Sequence, residues 1–105
     1  TYTQIYIQIV FAVKGRQNLI PKENREELHK FISGIVSNRG QKLFSICAMP
    51  DHVHILVSLS PSISISDLVR DIKAGSSKFI NDKNKYYDVY LYVDSILHDI
   101  LSVKN

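Results

Sequence analysis

The chain has 105 residues, 45% of them hydrophobic, which suffices for one domain with a modest core. Its 13 Lys and Arg against 10 Asp and Glu give a net charge of +3, which permits a nucleic-acid-binding face without requiring one. The single cysteine, Cys47, excludes an internal disulfide; we expect a buried, inert thiol in a reducing, cytoplasmic setting. Because no apolar run approaches the roughly 20 residues of a membrane helix and no signal peptide is recognisable, we expect no membrane association.

The first part of the chain predicts a strand followed by a helix. Residues 2–13 alternate, with isoleucine, phenylalanine and valine side chains on one face, as in a strand with one buried side. After a KGRQN loop, residues 21–40 carry apolar side chains at helical spacing from Leu28 to Val36, and Gly40 follows the last turn. We therefore expect an amphipathic helix.

The middle of the chain predicts an antiparallel hairpin. Two apolar segments, KLFSICAM (42–49) and HVHILVSL (52–59), are joined only by Pro50 and Asp51. Since this connection is very short and made of turn-forming residues, the two strands should pair directly.

A second helix is predicted over residues 62–81. Ser64 precedes Asp67 by three residues, which resembles a capping box, and apolar residues recur at helical spacing from Leu68 onward. Gly75 is expected to interrupt or weaken this helix.

The element order β-α-β-β-α lacks only a last strand to complete a ferredoxin-like domain. The segment YDVYLYV (87–93) could supply that strand, followed by a short helix to the end of the chain. We therefore predict one α+β domain over residues 1–105, with an antiparallel sheet and two helices on one face. Its core spans residues 2–83, and residues 84–105 form an atypical tail.

Two histidines stand one residue apart in the strand predicted over residues 52–59. The two-residue period of a strand sends Val53 and Ile55 to the core and His52 and His54 to the opposite face. The imidazoles would then point together, with Cβ atoms about 7 Å apart, close enough to bind one metal ion. A stable site needs a third ligand from elsewhere. The alternative is that both are merely half-exposed polar residues on an open sheet face.

Three segments, in order, resemble the single-tyrosine HUH transposases of insertion sequences: FAVKGRQNLI, AMPDHVHILVSLSP and SISDLVRDIKAGSSKFIN. His52-Val53-His54 matches the HUH signature, and the similarity covers approximately residues 2–83. The resemblance implies an RRM-like core, a homodimer and binding of single-stranded DNA with hairpin ends. It also implies that strands are cut and rejoined through a 5′-phosphotyrosine, with Mg²⁺ or Mn²⁺ held by His52 and His54 as cofactor.

Residues 84–105 depart from the pattern of that family, as in a truncated or frame-shifted chain. Members continue through an aromatic, glycine-rich segment into a helix that carries the tyrosine nucleophile and, four residues later, a glutamine that completes the metal site. Tyr90 and Asp94 reproduce this spacing and would share one helix face, which makes Tyr90 the candidate nucleophile. The alternative is that the tyrosines belong to a strand, which aromatic residues favour.

Basic residues near the sheet and the second helix are the candidate DNA contacts. Some form a stripe at i, i+3 and i+7 spacing on that helix, and others lie in the loop after the first strand. The alternative for the stripe is a solvated helix face. The candidates are Lys14, Arg16, Arg70, Lys73, Ser77 and Lys78.

Three functions are compatible with these patterns: an active single-strand transposase, a degenerate copy that still folds and binds DNA, and an unrelated ferredoxin-like metal-binding or regulatory module. An RRM-type RNA binder is disfavoured because HVHILVSL lacks the paired aromatic residues that stack on bases.

Overall fold

The structure is a computed structural model that describes residues 2–16, 20, 22–60, 63–83 and 91–103. Its strands and helices, in chain order, are β1 (Tyr2–Val13), α1 (Arg25–Asn38), β2 (Lys42–Ala48), β3 (His52–Leu59), α2 (Ile65–Lys83) and β4 (Leu91–Val103). The sheet has the strand order β2-β3-β1-β4, and all neighbouring strands are antiparallel. This arrangement confirms the predicted ferredoxin-like α+β fold.

The hydrophobic core lies between one face of the sheet and the two helices. Alternate residues of β1 and β3 pack there against one stripe of each helix, as the two-residue period of a strand and the 3.6-residue period of a helix predict. Each fully buried aliphatic or aromatic side chain contributes on the order of 1.5–3 kcal/mol to folding. The largest fully buried residues are Ile7, Ile9, Phe11, Val13, Ile20, Leu28, Ile32, Val36, Val53, Ile55, Leu68 and Ile72.

Helix α2 begins at a cap and runs through its glycine without a break. The Ser64 hydroxyl accepts a hydrogen bond from the backbone N–H of Asp67 at 3.2 Å, as predicted. The expected interruption at Gly75 was wrong. A Cβ at Gly75 would lie 2.7 Å from Cδ1 of Ile35 and 3.2 Å from Cε1 of Phe31, so the missing side chain lets the two helices approach closely. Neither of the two described helices is long and apolar enough to cross a membrane.

The last strand differs from the prediction in position and extent. β4 pairs with β1 from Leu91, opposite Val13, to Val103, opposite Tyr2, so the expected C-terminal helix was wrong. Most of the strand expected over residues 87–93 lies outside the described residues. The segment DSILHDILSV has apolar spacing that suits a helix, but β1 offers an edge on which it completes the sheet instead.

Candidate metal and DNA site

His52 and His54 lie side by side on the sheet face that the helices leave uncovered, here called the open face. Their chain neighbours Val53 and Ile55 are each 1% exposed and point into the core, whereas both histidines are partly exposed. The centroids of the two imidazole rings are 4.8 Å apart, and the ring planes are inclined at 61°. The predicted direction of these side chains is confirmed, and their role as metal ligands stays a prediction.

Asp51 fixes the orientation of the first imidazole. Its Oδ1 lies 2.6 Å from Nδ1 of His52, and the two side chains are 28% and 24% exposed. The turn itself is held by backbone hydrogen bonds from Val13 N–H to the Asp51 carbonyl and from Met49 N–H to the His52 carbonyl, both 2.8 Å. When Nδ1–H donates to the carboxylate, the lone pair of Nε2 remains for a metal ion. The sequence indicated Asp51 only as a turn residue.

The described residues bring together two candidate metal ligands rather than a complete set. No group of three or more His, Cys, Asp or Glu side chains among them is placed to bind one ion. Cys47 pairs with His54 across β2 and β3, but its exposed Sγ contacts Sδ of Met49 at 3.9 Å. The predicted burial of this thiol was wrong, because β2 is an edge strand and Cys47 lies on its open face. The histidine pair could supply at most part of a metal site, and we call it the candidate half-site, or half-site for short.

Tyr92 lies on the same row of the open face as His52. Ala12 pairs with His52 on one side and with Tyr92 on the other. Because the chain neighbours Leu91 and Val93 face the core, the alternation of the strand directs the Tyr92 side chain to the open face, where it is 39% exposed. The sequence did not single out this tyrosine, since its row depends on the register of β1 and β4.

Tyr90, the predicted nucleophile, lies outside the described residues. Asp94 lies in β4, at the point where the pairing with β1 shifts between Val10 and Phe11. Residues 91–94 belong to a strand. The expectation that Tyr90 and Asp94 share one helix face was therefore wrong. Tyr90 itself stays a prediction.

One of the candidate DNA contacts after β1 lies at the same end of the sheet as the histidine pair. Lys14 is exposed and follows Val13, whose N–H binds the carbonyl of Asp51 in the hairpin turn. Lys14 therefore lies at the same end of the sheet as His52. The side chain of Arg16 lies outside the described part of the chain.

The candidate DNA contacts on α2 lie on the other side of the sheet from the histidines. Arg70 forms exposed ion pairs with Asp67 at 3.3 Å and with Asp71 at 3.4 Å. Lys73 lines a groove between α2 and β4, on the helix-covered side. The structure thus separates a group of four predicted contacts from the half-site: Arg70, Lys73, Ser77 and Lys78.

A sequence comparison places nearly the whole chain in a known family. Residues 1–98 match the family model of the IS200-like transposases. The ISDra2 transposase TnpA of Deinococcus radiodurans is 29% identical over 75 residues, which is 71% of this chain and 54% of that protein. The chain therefore spans about half the length of this relative.

Two solved structures share the fold. A crystal structure of a protein from Deinococcus radiodurans R1, assigned as a transposase, has a TM-score of 0.73 and 22% identity and covers 99% of this chain and 82% of that one. A REP-associated tyrosine transposase bound to a REP hairpin has a TM-score of 0.64 and 13% identity, covering 96% and 58% of the two chains. The match of the family model includes the histidine half-site and confirms the predicted family: the chain belongs to the IS200-like transposases.

Proposed function

We propose that this chain binds single-stranded DNA with hairpin ends on its open face and cuts it at a metal-assisted centre built on His52 and His54. The observation that carries the proposal is the adjacency of the two imidazoles on the uncovered sheet face of a chain in a transposase family. A structural neighbour bound to a REP hairpin supports a hairpin as the partner.

His52 and His54 would hold the divalent ion, Mg²⁺ or Mn²⁺. The imidazoles fit such an ion, because both are accessible and Asp51 leaves Nε2 of His52 available. Nitrogen ligands favour Mn²⁺ over Mg²⁺, which prefers oxygen. When bound, the ion would neutralise an oxygen of the phosphodiester that is attacked. Lys14 would hold a neighbouring phosphate at the same end of the sheet.

A homodimer is part of this proposal. The described residues bring only two ligands together, so the remaining ligands come from DNA, from residues outside the described part, or from a second copy. The resemblance to HUH transposases favours the second copy.

The covalent step needs a tyrosine hydroxyl close to the phosphate. Its oxygen attacks phosphorus, the bond from phosphorus to the 3′ oxygen breaks, the phenol proton passes to solvent, and the 3′ oxygen takes up a proton. The products are a 5′-phosphotyrosine and a 3′-hydroxyl, which rejoin by the reverse reaction without ATP. Tyr90 remains one candidate, and Tyr92 is a second because it shares the open-face row of His52.

A degenerate copy that binds DNA without cutting it is the second candidate function. It is favoured by one observation: beyond α2, the described residues form a strand and no helix that could carry a nucleophile.

A covalent-adduct gel tests the proposal. The chain is incubated with Mn²⁺ and labelled hairpin oligonucleotides taken from the DNA that flanks its gene, then denatured. We expect a DNA-protein band that disappears in the double variant His52→Ala/His54→Ala and persists in His29→Ala, a change on helix α1. Loss of the band in Tyr90→Phe or in Tyr92→Phe would identify the nucleophile.

This gel, together with a native gel shift of the same mixtures that reports binding, separates the candidates. Binding without an adduct would support the degenerate copy, and an adduct that survives the double histidine change would contradict the metal-assisted centre. Absence of both binding and adduct would contradict the proposed function as a whole.

A further inference from the structure

We infer that Tyr6, Phe44 and Lys42, at the end of the open face far from the hairpin turn, form a stacking site for a base of single-stranded DNA. The rings of Tyr6 and Phe44 contact edge to face, with centroids 4.9 Å apart and planes inclined at 65°. Nζ of Lys42 lies 5.1 Å from the Phe44 centroid. This inference rests on the proposed function, because it extends the DNA path from the histidine half-site.

The strand register brings these residues together on the open face. Tyr6 alternates with buried Ile7 and pairs with Ser58 of β3. Phe44 is the extra residue where the pairing of β2 with β3 shifts between Leu43 and Ser45. A bulge of this kind re-aims a side chain, and here it brings the ring of an edge strand to the ring of a central strand.

The aromatic pair stands outside the hydrophobic core. Phe44 is 44% exposed, the largest exposed fraction among the exposed large hydrophobic side chains of the described residues. Neither Tyr6 nor Phe44 belongs to the core cluster between the sheet and the helices. Packing therefore does not account for a large aromatic ring at this position, whereas open aromatic faces on a sheet are the feature on which proteins stack unpaired bases.

Position and charge favour single-stranded DNA as the occupant. Ser58 lies four positions beyond His54 in β3, which corresponds to about 13 Å, a distance that an extended DNA strand covers in a few nucleotides. Lys14 and Lys42 place a positive charge at each end of this path. A base on the aromatic pair and a phosphate beside Lys42 would then belong to the same strand whose backbone reaches the half-site.

The paired aromatic residues lie on β1 and β2, not on β3, the strand with the sequence HVHILVSL. HVHILVSL indeed contains none, but β1 and β2 each supply one ring. The sequence could not indicate this pair, because their contact depends on the bulge at Phe44.

Two measurements on the full chain test the inference. In the first, fluorescence anisotropy follows binding of a hairpin oligonucleotide with a single-stranded dT tail. Phe44→Leu keeps apolar bulk but removes the π-face, and we expect it to weaken binding about tenfold. The matched control is Phe31→Leu, a 39% exposed ring on α1, which should leave the affinity unchanged. Circular dichroism of each variant verifies folding.

The second measurement uses photochemical cross-linking with 5-iodouracil placed in turn at each tail position. We expect one or two adjacent positions to cross-link to Tyr6 or Phe44, identified by mass spectrometry. An abasic nucleotide at the same position should weaken wild-type binding and leave Phe44→Leu binding unchanged.

The results distinguish this inference from the proposed function. If the wild type binds tailed hairpins and Phe44→Leu binds equally well, without a cross-link to either ring, the stacking site is overturned and DNA binding stands. If the wild type binds no single-stranded DNA, both are overturned.

Discussion

The hydrogen bond between Asp51 and His52 links the hairpin turn to the candidate metal chemistry. Its length of 2.6 Å is short for a contact between a ring nitrogen and a carboxylate oxygen, and both side chains are mostly shielded from solvent. A carboxylate on Nδ1 orients the imidazole and makes Nε2 a better ligand. The same residue therefore holds the turn and orients the His52 ring of the proposed metal centre.

A different carboxylate, Asp71, predicts a pH dependence of stability. Arg39 Nε donates a hydrogen bond to Asp71 at 2.8 Å, and this contact holds the pKa of Asp71 below its ordinary value; Arg70 adds to the effect and partial burial opposes it. Because the folded-state pKa is lowered, the stabilisation is fully present above the unfolded pKa of about 4 and is lost as pH falls through the folded value.

We expect Arg39→Gln to raise the pKa of Asp71 toward its ordinary value, as followed by NMR titration of the carboxyl carbon. Urea unfolding should then show a smaller loss of unfolding free energy between neutral and acidic pH than in the wild type. Arg70→Gln is the control. It should change the pKa of Asp71 and the acid-induced loss of unfolding free energy less than Arg39→Gln does. An unchanged Asp71 pKa in Arg39→Gln would refute this assignment.

At the scale of elements, the contact between α1 and α2 depends on Gly75. We expect Gly75→Leu to lower the free energy of unfolding by about 1–3 kcal/mol, because the added side chain meets Ile35 and Phe31 and overpacks the helix contact. Gly34→Leu on α1 should leave it unchanged or raise it, since a Cβ there meets nothing within 4 Å. Urea unfolding measures both, and equal effects would contradict close packing at Gly75.

Local patterns predict most of these elements correctly and fail where distant contacts decide. The bounds of β3 and the cap at Ser64 follow from turn residues and periodicity. The role of Gly75 does not, because a helix partner is invisible in the local sequence. The strand β4 does not follow from local patterns either. Its apolar residues have helical spacing, but pairing with the edge of β1 makes the segment a strand.

At the scale of the whole molecule, the sheet separates two surfaces. The helix-covered side carries the predicted basic stripe of α2. The open face carries the histidine pair and Tyr92, and Lys14 lies at the same end of the sheet. The side of each histidine could be predicted because a strand alternates strictly. The position of Tyr92 could not, because it depends on which strands are neighbours and in which register. The α2 stripe is remote from the histidine pair because helix α2 covers the opposite side of the sheet.

The most direct test of this account is a titration of the chain with Mn²⁺, followed by NMR of the histidine ring protons. The paramagnetic ion broadens only nearby signals. We expect the ring signals of His52 and His54 to broaden together at the lowest Mn²⁺ concentrations, while those of His29 on α1 stay sharp. If His52 and His54 broaden no earlier than His29, the open face does not hold the metal ion and the proposed centre is wrong.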